Sequence, residues 1–109
     1  MGHLVDSAQN NIRRFIVAQY EDVPRIVYNQ DKWVAITCYQ QWDDASLINL
    51  WYLLNHQISI ILKNTPAEMK QRQCQTDSLQ TIEWLAADYL KHLRHHLHAV
   101  LDLEQVAYP

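Results

Sequence analysis

The sequence predicts an all-α protein: a helical bundle in one domain, residues 1–109. Its 109 residues include one glycine and three prolines. That is too few for a β-sandwich or barrel, which needs turn residues about every 8–12 positions. Apolar residues make up 49% of the chain, enough to form a core. In three long segments they recur at the spacing of one helical face, so we expect an up-down bundle of three long helices.

The first two long helices are expected at about residues 3–19 and 44–62. Asp43 or Asp44 can cap the second, because a side-chain oxygen accepts a hydrogen bond from an unpaired backbone N–H at a helix start. In residues 20–42 the apolar residues no longer recur at helical spacing, which predicts a long, irregular connector. A short strand over residues 34–37 is an alternative to irregular structure there. The connector should be ordered, because it holds large aromatic residues that favour burial: Tyr28, Trp33, Tyr39 and Trp42.

The second half of the chain predicts a short helix and then the longest one. Thr65-Pro66-Ala67-Glu68 has the form of a capping box with proline at the first helical position, which predicts a short helix over residues 66–71. The polar residues 71–77 predict a loop. The last helix is expected at about residues 81–103, where these apolar residues share one face: Ile82, Leu85, Ala86, Tyr89, Leu90, Leu93, Leu97 and Val100.

Charge and cysteine content point to a cytoplasmic protein. The net charge of −3 offers no basic surface for nucleic acid, so no nucleic-acid partner is expected. No apolar run reaches the roughly 20 residues needed to cross a bilayer, so no membrane partner is expected either. Cys38 and Cys74 form no CxxC pair and are interpreted as reduced thiols, either small buried hydrophobic residues or reactive centres.

Four of the six histidines lie within residues 92–98. On a helical wheel His92 and His96 fall on the border of the apolar face or inside it, whereas His95 and His98 fall toward solvent. His56 also falls on a solvent face. Leaving a buried ring nitrogen unpaired costs roughly 1–3 kcal/mol, and one metal ion would satisfy a nitrogen of both inward rings. The alternative is a pair of hydrogen-bonded core histidines.

Two histidines leave most coordination positions of a metal open, and His3 is the remaining candidate for a third ligand. It belongs to a polar stripe on the first helix that continues through Ser7, Asn10 and Arg14. The stripe lies nearly opposite the main apolar face. His3 is therefore either a surface residue near the chain start or part of a polar pocket between helices.

The chain resembles the DinB-like family in several segments. Residues 2–7 with 11–15 (GHLVDS and NIRRF) resemble the second helix of that family, and residues 89–96 (YLKHLRHH) resemble its last helix, which carries an HxxxH pair. Residues 29–33 and 43–51 are also similar. The resemblance implies a four-helix bundle that holds a divalent metal (Zn, Ni, Fe or Mn) on His3, His92 and His96. The family helix that precedes the His3 helix has no counterpart here, so the chain is a shortened member or a fragment, or its start lies upstream. For the shortened chain we expect a homodimer that covers the exposed apolar face.

The resemblance also implies a chemistry, since three histidines leave a metal position open for reaction. Some members of the superfamily are thiol-dependent S-transferases or isomerases that use a low-molecular-weight thiol. Here Asp6 could orient a ligand imidazole, or simply favour the helix N-terminus. Arg14 could hold an anionic thiol or a substrate carboxylate, or be solvated.

Three functions remain open from the sequence. The first is a metal-dependent transferase or hydrolase acting on a small molecule. The second is a non-catalytic, stress-associated metal-binding protein. The third is a helical interaction module whose histidines bind no metal.

Overall fold

The computed structural model describes the backbone of residues 2–100 and the side chains of residues 2–96. Within this part the chain is mostly helical, as predicted, with one small two-stranded sheet. The α-helices are α1 (Gly2–Val17), α2 (Gln30–Thr37), α3 (Asp44–Lys63) and α4 (Ile82–Val100), and the strands are β1 (Gln73–Gln75) and β2 (Leu79–Thr81). The part of the predicted last helix beyond residue 100 lies outside the described residues.

Contacts at the helix ends define the helix directions. Tyr39, which precedes α3, contacts Gly2 and binds Asp6 at the start of α1. At the other end, the Gln19 amide lies 3.4 Å from the Thr65 hydroxyl, which follows α3. The helices α1 and α3 therefore run in the same direction, which differs from the alternating up-down order expected from the sequence. The reason is that residues 18–43 cross from one end of the bundle to the other.

The helix α4 runs opposite to α1. The Arg72 side chain donates hydrogen bonds to the carbonyls of Ala18 (2.7 Å) and Glu21 (3.0 Å), just past the end of α1. The backbone N–H of Ile82 then donates to the carbonyl of Arg72 (2.9 Å). Since α4 begins where α1 ends, the last turns of α4 lie beside the first turns of α1. This direction brings His3 to the same end of the molecule as His92 and His96.

The core lies where α1 meets α3 and α4. Phe15 of α1, Ile58 of α3 and Ile82 of α4 are among its buried residues. Between α3 and α4 themselves, the Tyr89 hydroxyl donates a 2.6 Å hydrogen bond to Oδ1 of Asn55. Ile48, Tyr52 and Leu90 stay about half exposed or more on these two helices. No helix in residues 2–100 is both long enough and apolar enough to cross a membrane.

The connector contains a helix, not the strand considered over residues 34–37. The Asn29 side chain accepts a 3.0 Å hydrogen bond from the backbone N–H of Lys32 and so caps the start of α2. At its end, Cys38 adopts the left-handed conformation (φ 56°) that commonly terminates helices. The aromatic residues of the connector pair edge-on or tilted: Tyr28 with Trp33, and Tyr39 with Trp42, each at 5.6 Å between ring centroids.

The segment between α3 and α4 also differs from its prediction. The hydroxyl of Thr65 donates to the carbonyl of Ile61 (2.7 Å) instead of forming a capping box. Residues 67–69 accordingly form a single 3₁₀ turn in place of a short α-helix over 66–71. Within the expected loop 71–77, residues 73–75 form β1, whose Gln75 exchanges backbone hydrogen bonds with the connector at Pro24 and Ile26.

The long helices match their expected positions closely. Helix α1 ends at Val17, two residues before the expected end, and α3 extends one residue further, to Lys63. Asp43 caps α3, because its carboxylate accepts a 2.8 Å hydrogen bond from the backbone N–H of Ser46.

Candidate metal centre and adjoining pocket

His92 and His96 lie one turn apart on α4, and their rings converge. The two Nε2 atoms are 2.7 Å apart, and the ring centroids are separated by 4.4 Å. Two neutral imidazoles reach this distance when one donates its Nε2–H to the unprotonated Nε2 of the other. A metal ion that replaced the shared proton would have two nitrogen ligands from one helix face.

The surroundings of this pair favour neutral rings. Burial lowers the pKa of His92, an effect that the nearby Asp88 carboxylate opposes. Burial also lowers the pKa of His96, and the rings of His92, His95 and His3 lower it further. Because a histidine binds metal only when its ring nitrogen is unprotonated, these shifts favour metal binding at neutral pH.

His3 lies at the same end of the molecule but has a different partner. The side-chain Nε2 of Gln30, the first residue of α2, lies 2.7 Å from Nδ1 of His3. Turning the Gln30 amide by 180° places its oxygen there, where it would accept a hydrogen bond from a protonated Nδ1. The Nε2 atom of His3 would then be available to a metal, with Gln30 fixing the ring.

The three predicted ligands are only partly brought together. His92 and His96 are in contact, whereas His3 is bound to Gln30. In the portion of the chain that the structure describes, no group of three or more His, Cys, Asp or Glu side chains is arranged to hold a metal ion. The converging pair thus fits a metal as two ligands, and a third bond would require His3 to move toward the pair.

His95 and His56 lie elsewhere than at the contact between the two Nε2 atoms. The His95 ring lies 5.8 Å from that of His96, edge-on, and is partly exposed. His56 is exposed and stacks on Tyr52 at 6.5 Å. The side chain of His98 lies outside the described residues.

Asp6 is fully buried, and its carboxylate binds the connector. The Tyr39 hydroxyl donates a hydrogen bond to Oδ1 of Asp6, while Oδ2 has no partner among the described residues. A Cβ atom at Gly2 would lie 2.5 Å from the Tyr39 ring, so the absence of a side chain there leaves room for the tyrosine. Asp6 therefore anchors the connector beside the histidines, and the contact seen is with a tyrosine instead of an imidazole.

A pocket of about 320 Å³ adjoins the histidine pair, with His92 in its wall. Its α1 side is formed by Ser7, Asn11 and Arg14, spaced about one turn apart. Asn10, which is expected in the polar stripe of this helix, is buried instead, and its amide donates a 2.9 Å hydrogen bond to the carbonyl of Asp6. The opposite walls come from α4, the connector and the turn at residues 76–78 between β1 and β2. The volume is in the range of pockets that bind small molecules.

Arg14 is the cation of this pocket. Its Nε donates a 3.1 Å hydrogen bond to the carbonyl of Ile26, and its guanidinium lies 5.8 Å from the centre of the Tyr28 ring. Burial lowers the pKa of Arg14, but the group stays protonated because an arginine pKa starts so high. Burial raises the pKa of the Cys74 thiol, which is fully buried, as expected for a packing residue.

Sequence reasoning misses Gln30, Tyr28 and Tyr39 as parts of the site. Each lies in the connector, and the path of the connector cannot be predicted from the spacing of apolar residues. For Gln30 alone, the sequence offers a signal in the resemblance that was noted for residues 29–33. Comparison of the chain with protein-family models, curated proteins and solved structures finds no match.

Proposed function

We propose that this chain is a DinB-like protein that binds a divalent metal through His92 and His96, with His3 as the third ligand. The observation that carries the proposal is the convergence of the two Nε2 atoms to 2.7 Å on one face of α4. The direction of α4 relative to α1, which brings His3 to the same end, supports it. Zn, Ni, Fe and Mn all accept imidazole nitrogen.

The activity that this arrangement supports best is transfer of a low-molecular-weight thiol to a small electrophile, or hydrolysis of a small molecule. A divalent metal with an open position supplies Lewis-acid activation of a thiol or a water molecule. The 320 Å³ pocket beside His92 would hold the small molecule, with Arg14 in its wall. The two free cysteines are in keeping with a reducing compartment such as the cytoplasm.

The proposal includes a homodimer formed through α3 and α4. A groove of about 260 Å³ separates these helices, and Ile48, Tyr52 and Leu90 are exposed on them. In α3 the only charged residues are Asp44 at its start and Lys63 at its end. If two copies pack with their α3 helices antiparallel, each aspartate lies near the partner's lysine, and the apolar middle is buried without like-charge repulsion.

Two measurements, made one after the other, test the proposed function: the metal content of the chain and then its turnover. The purified full chain is analysed for bound metals, and then incubated with a panel of small thiols and an aryl chloride, whose chloride the thiolate displaces. We expect close to one metal per chain and metal-dependent S-aryl product, both lost in a His92→Ala/His96→Ala double variant and kept in His95→Ala. Metal without S-aryl product would contradict the proposed thiol transfer, and a chain that binds no divalent metal would refute the proposal.

A further inference from the structure

The pocket beside His92 has a charged end remote from the histidines. Ser7, Asn11 and Arg14 follow one another along α1, and the seven-position separation of Ser7 and Arg14 corresponds to about 10 Å of helix. All three line the pocket, as does His92 on the facing helix. A small molecule in this pocket can therefore contact the histidine end and Arg14 together.

Arg14 is held in place, and it shares the pocket wall with the carboxylates of Asp77 and Asp88. Its Nε donates a hydrogen bond to the Ile26 carbonyl, and this bond fixes the plane of the guanidinium. Within residues 2–96, no hydrogen bond or ion pair engages its two terminal nitrogens, although Asp77 in the neighbouring turn lies near enough to stabilise its charge. A half-buried guanidinium with two unused donors in a fixed plane matches the geometry of a carboxylate.

The aromatic ring of Tyr28 completes this subsite. The guanidinium lies over the ring at 5.8 Å, a cation–π distance, which restricts the motion of Arg14 further. Tyr28 also lines the pocket. The cation is thus pre-oriented, so a ligand carboxylate would not have to order it on binding.

We infer that Arg14 and Tyr28 form a carboxylate-binding subsite, so that the ligand of this pocket is a small molecule carrying a carboxylate at one end. The inference names the substrate class of the proposed function and rests on it for the group at the other end, which is a thiol held near His92. The ligand class is then an ω-mercapto carboxylate or a molecule of that shape.

A matched pair of probes tests the subsite by calorimetric titration of the Zn-loaded chain. Mercaptohexanoate and mercaptohexanol share the thiol and differ in the carboxylate. We expect the carboxylate to bind about tenfold to a hundredfold more tightly, the range for a charge-assisted pair of hydrogen bonds. Arg14→Gln should abolish this ratio, and Arg13→Gln, at the exposed neighbour, should keep it.

Two further arms separate this inference from the proposed function. Hexanoate titrated into metal-free chain should bind weakly and only when Arg14 is present, which tests the subsite without any metal. Arg14→Lys keeps the positive charge but not the planar guanidinium, and it should retain part of the preference for the carboxylate probe. This variant keeps the test decisive if Arg14→Gln fails to fold. Equal affinities for the two thiols in the wild-type chain would overturn the inference while leaving metal binding intact. Failure to load Zn would count against the proposed function alone, with the hexanoate arm still deciding the subsite.

Discussion

The hydroxyl of Tyr39 donates a hydrogen bond to the carboxylate of Asp6, which is fully buried in the first turns of α1. Tyr39 belongs to the 3₁₀ turn between α2 and α3, so this single contact ties the connector to the helix that carries His3. The second oxygen of Asp6 has no partner among the described residues, so the Tyr39 hydroxyl is the hydrogen-bond donor on which this buried side chain depends.

Removing the Tyr39 hydroxyl should destabilise the fold. Tyr39→Phe keeps the ring that packs on Gly2 but leaves the Asp6 carboxylate without its hydrogen-bond donor. We expect the free energy of unfolding to fall by about 2 kcal/mol, the range for a hydrogen bond to a charged group. Urea denaturation followed by circular dichroism measures it. Tyr20→Phe, at a well-exposed tyrosine after α1, is the control and should change the stability little.

The same contact predicts a loss of stability at alkaline pH. Burial and the Asp6 carboxylate raise the pKa of Tyr39 to about 12, above its ordinary value of 10.0. The folded state therefore holds this proton more tightly than the unfolded chain, and its contribution is fully present below pH 10. It should be lost as the pH rises from about 10 to 12. Urea midpoints of the wild type and Tyr39→Phe should converge over this range; parallel curves would disprove the assignment.

Gln30 should strengthen metal binding although it is not a ligand. Its amide lies 2.7 Å from Nδ1 of His3 and can hold that ring in a metal-binding orientation. We expect Gln30→Ala to weaken Zn affinity by about tenfold, the lower end of such effects. Gln40→Ala, at an exposed glutamine of the same connector, should have no effect. If Gln30→Ala binds Zn as the wild type does, His3 gains no support from this contact.

Introducing a charged residue on the exposed face of α3 tests the proposed homodimer. Tyr52 lies near the middle of α3 with 63% of its surface exposed, so Tyr52→Glu places two like charges at the centre of the proposed interface. Sedimentation equilibrium at micromolar concentration should give a dimer for the wild type and a monomer for this variant. Tyr20→Glu, at a similarly exposed tyrosine that follows α1, should remain a dimer. A wild-type chain that sediments as a single monomeric species would exclude the proposed dimer.

The features that depend on local spacing are those that the sequence predicts well. The long helices follow from the apolar period, and the Asp43 cap follows from residue type at a helix start. The contact between His92 and His96 also needs nothing beyond an i, i+4 spacing on one helix. The wheel that places both rings on the inward side uses only residues of α4 itself.

The features that depend on distant segments are those that the sequence does not predict. The strand β1 is three mostly polar residues, and it is held by backbone hydrogen bonds with Pro24 and Ile26 in the connector. The contact of Gln30 with His3 spans 27 positions and depends on how the connector crosses the bundle. The parallel course of α1 and α3 has the same cause. For α2, a local signal exists in the Asn29 cap, but the β-branched residues after it also suit a strand.

Calorimetric titration of histidine variants with Zn and Ni tests the central claim most directly. His92→Ala and His96→Ala should each abolish stoichiometric binding, because their converging Nε2 atoms supply two of the bonds. His3→Ala should weaken binding, and His95→Ala and His98→Ala should leave it nearly intact. Loss of binding on removal of His95 or His98, with His92 and His96 dispensable, would contradict the proposed metal centre.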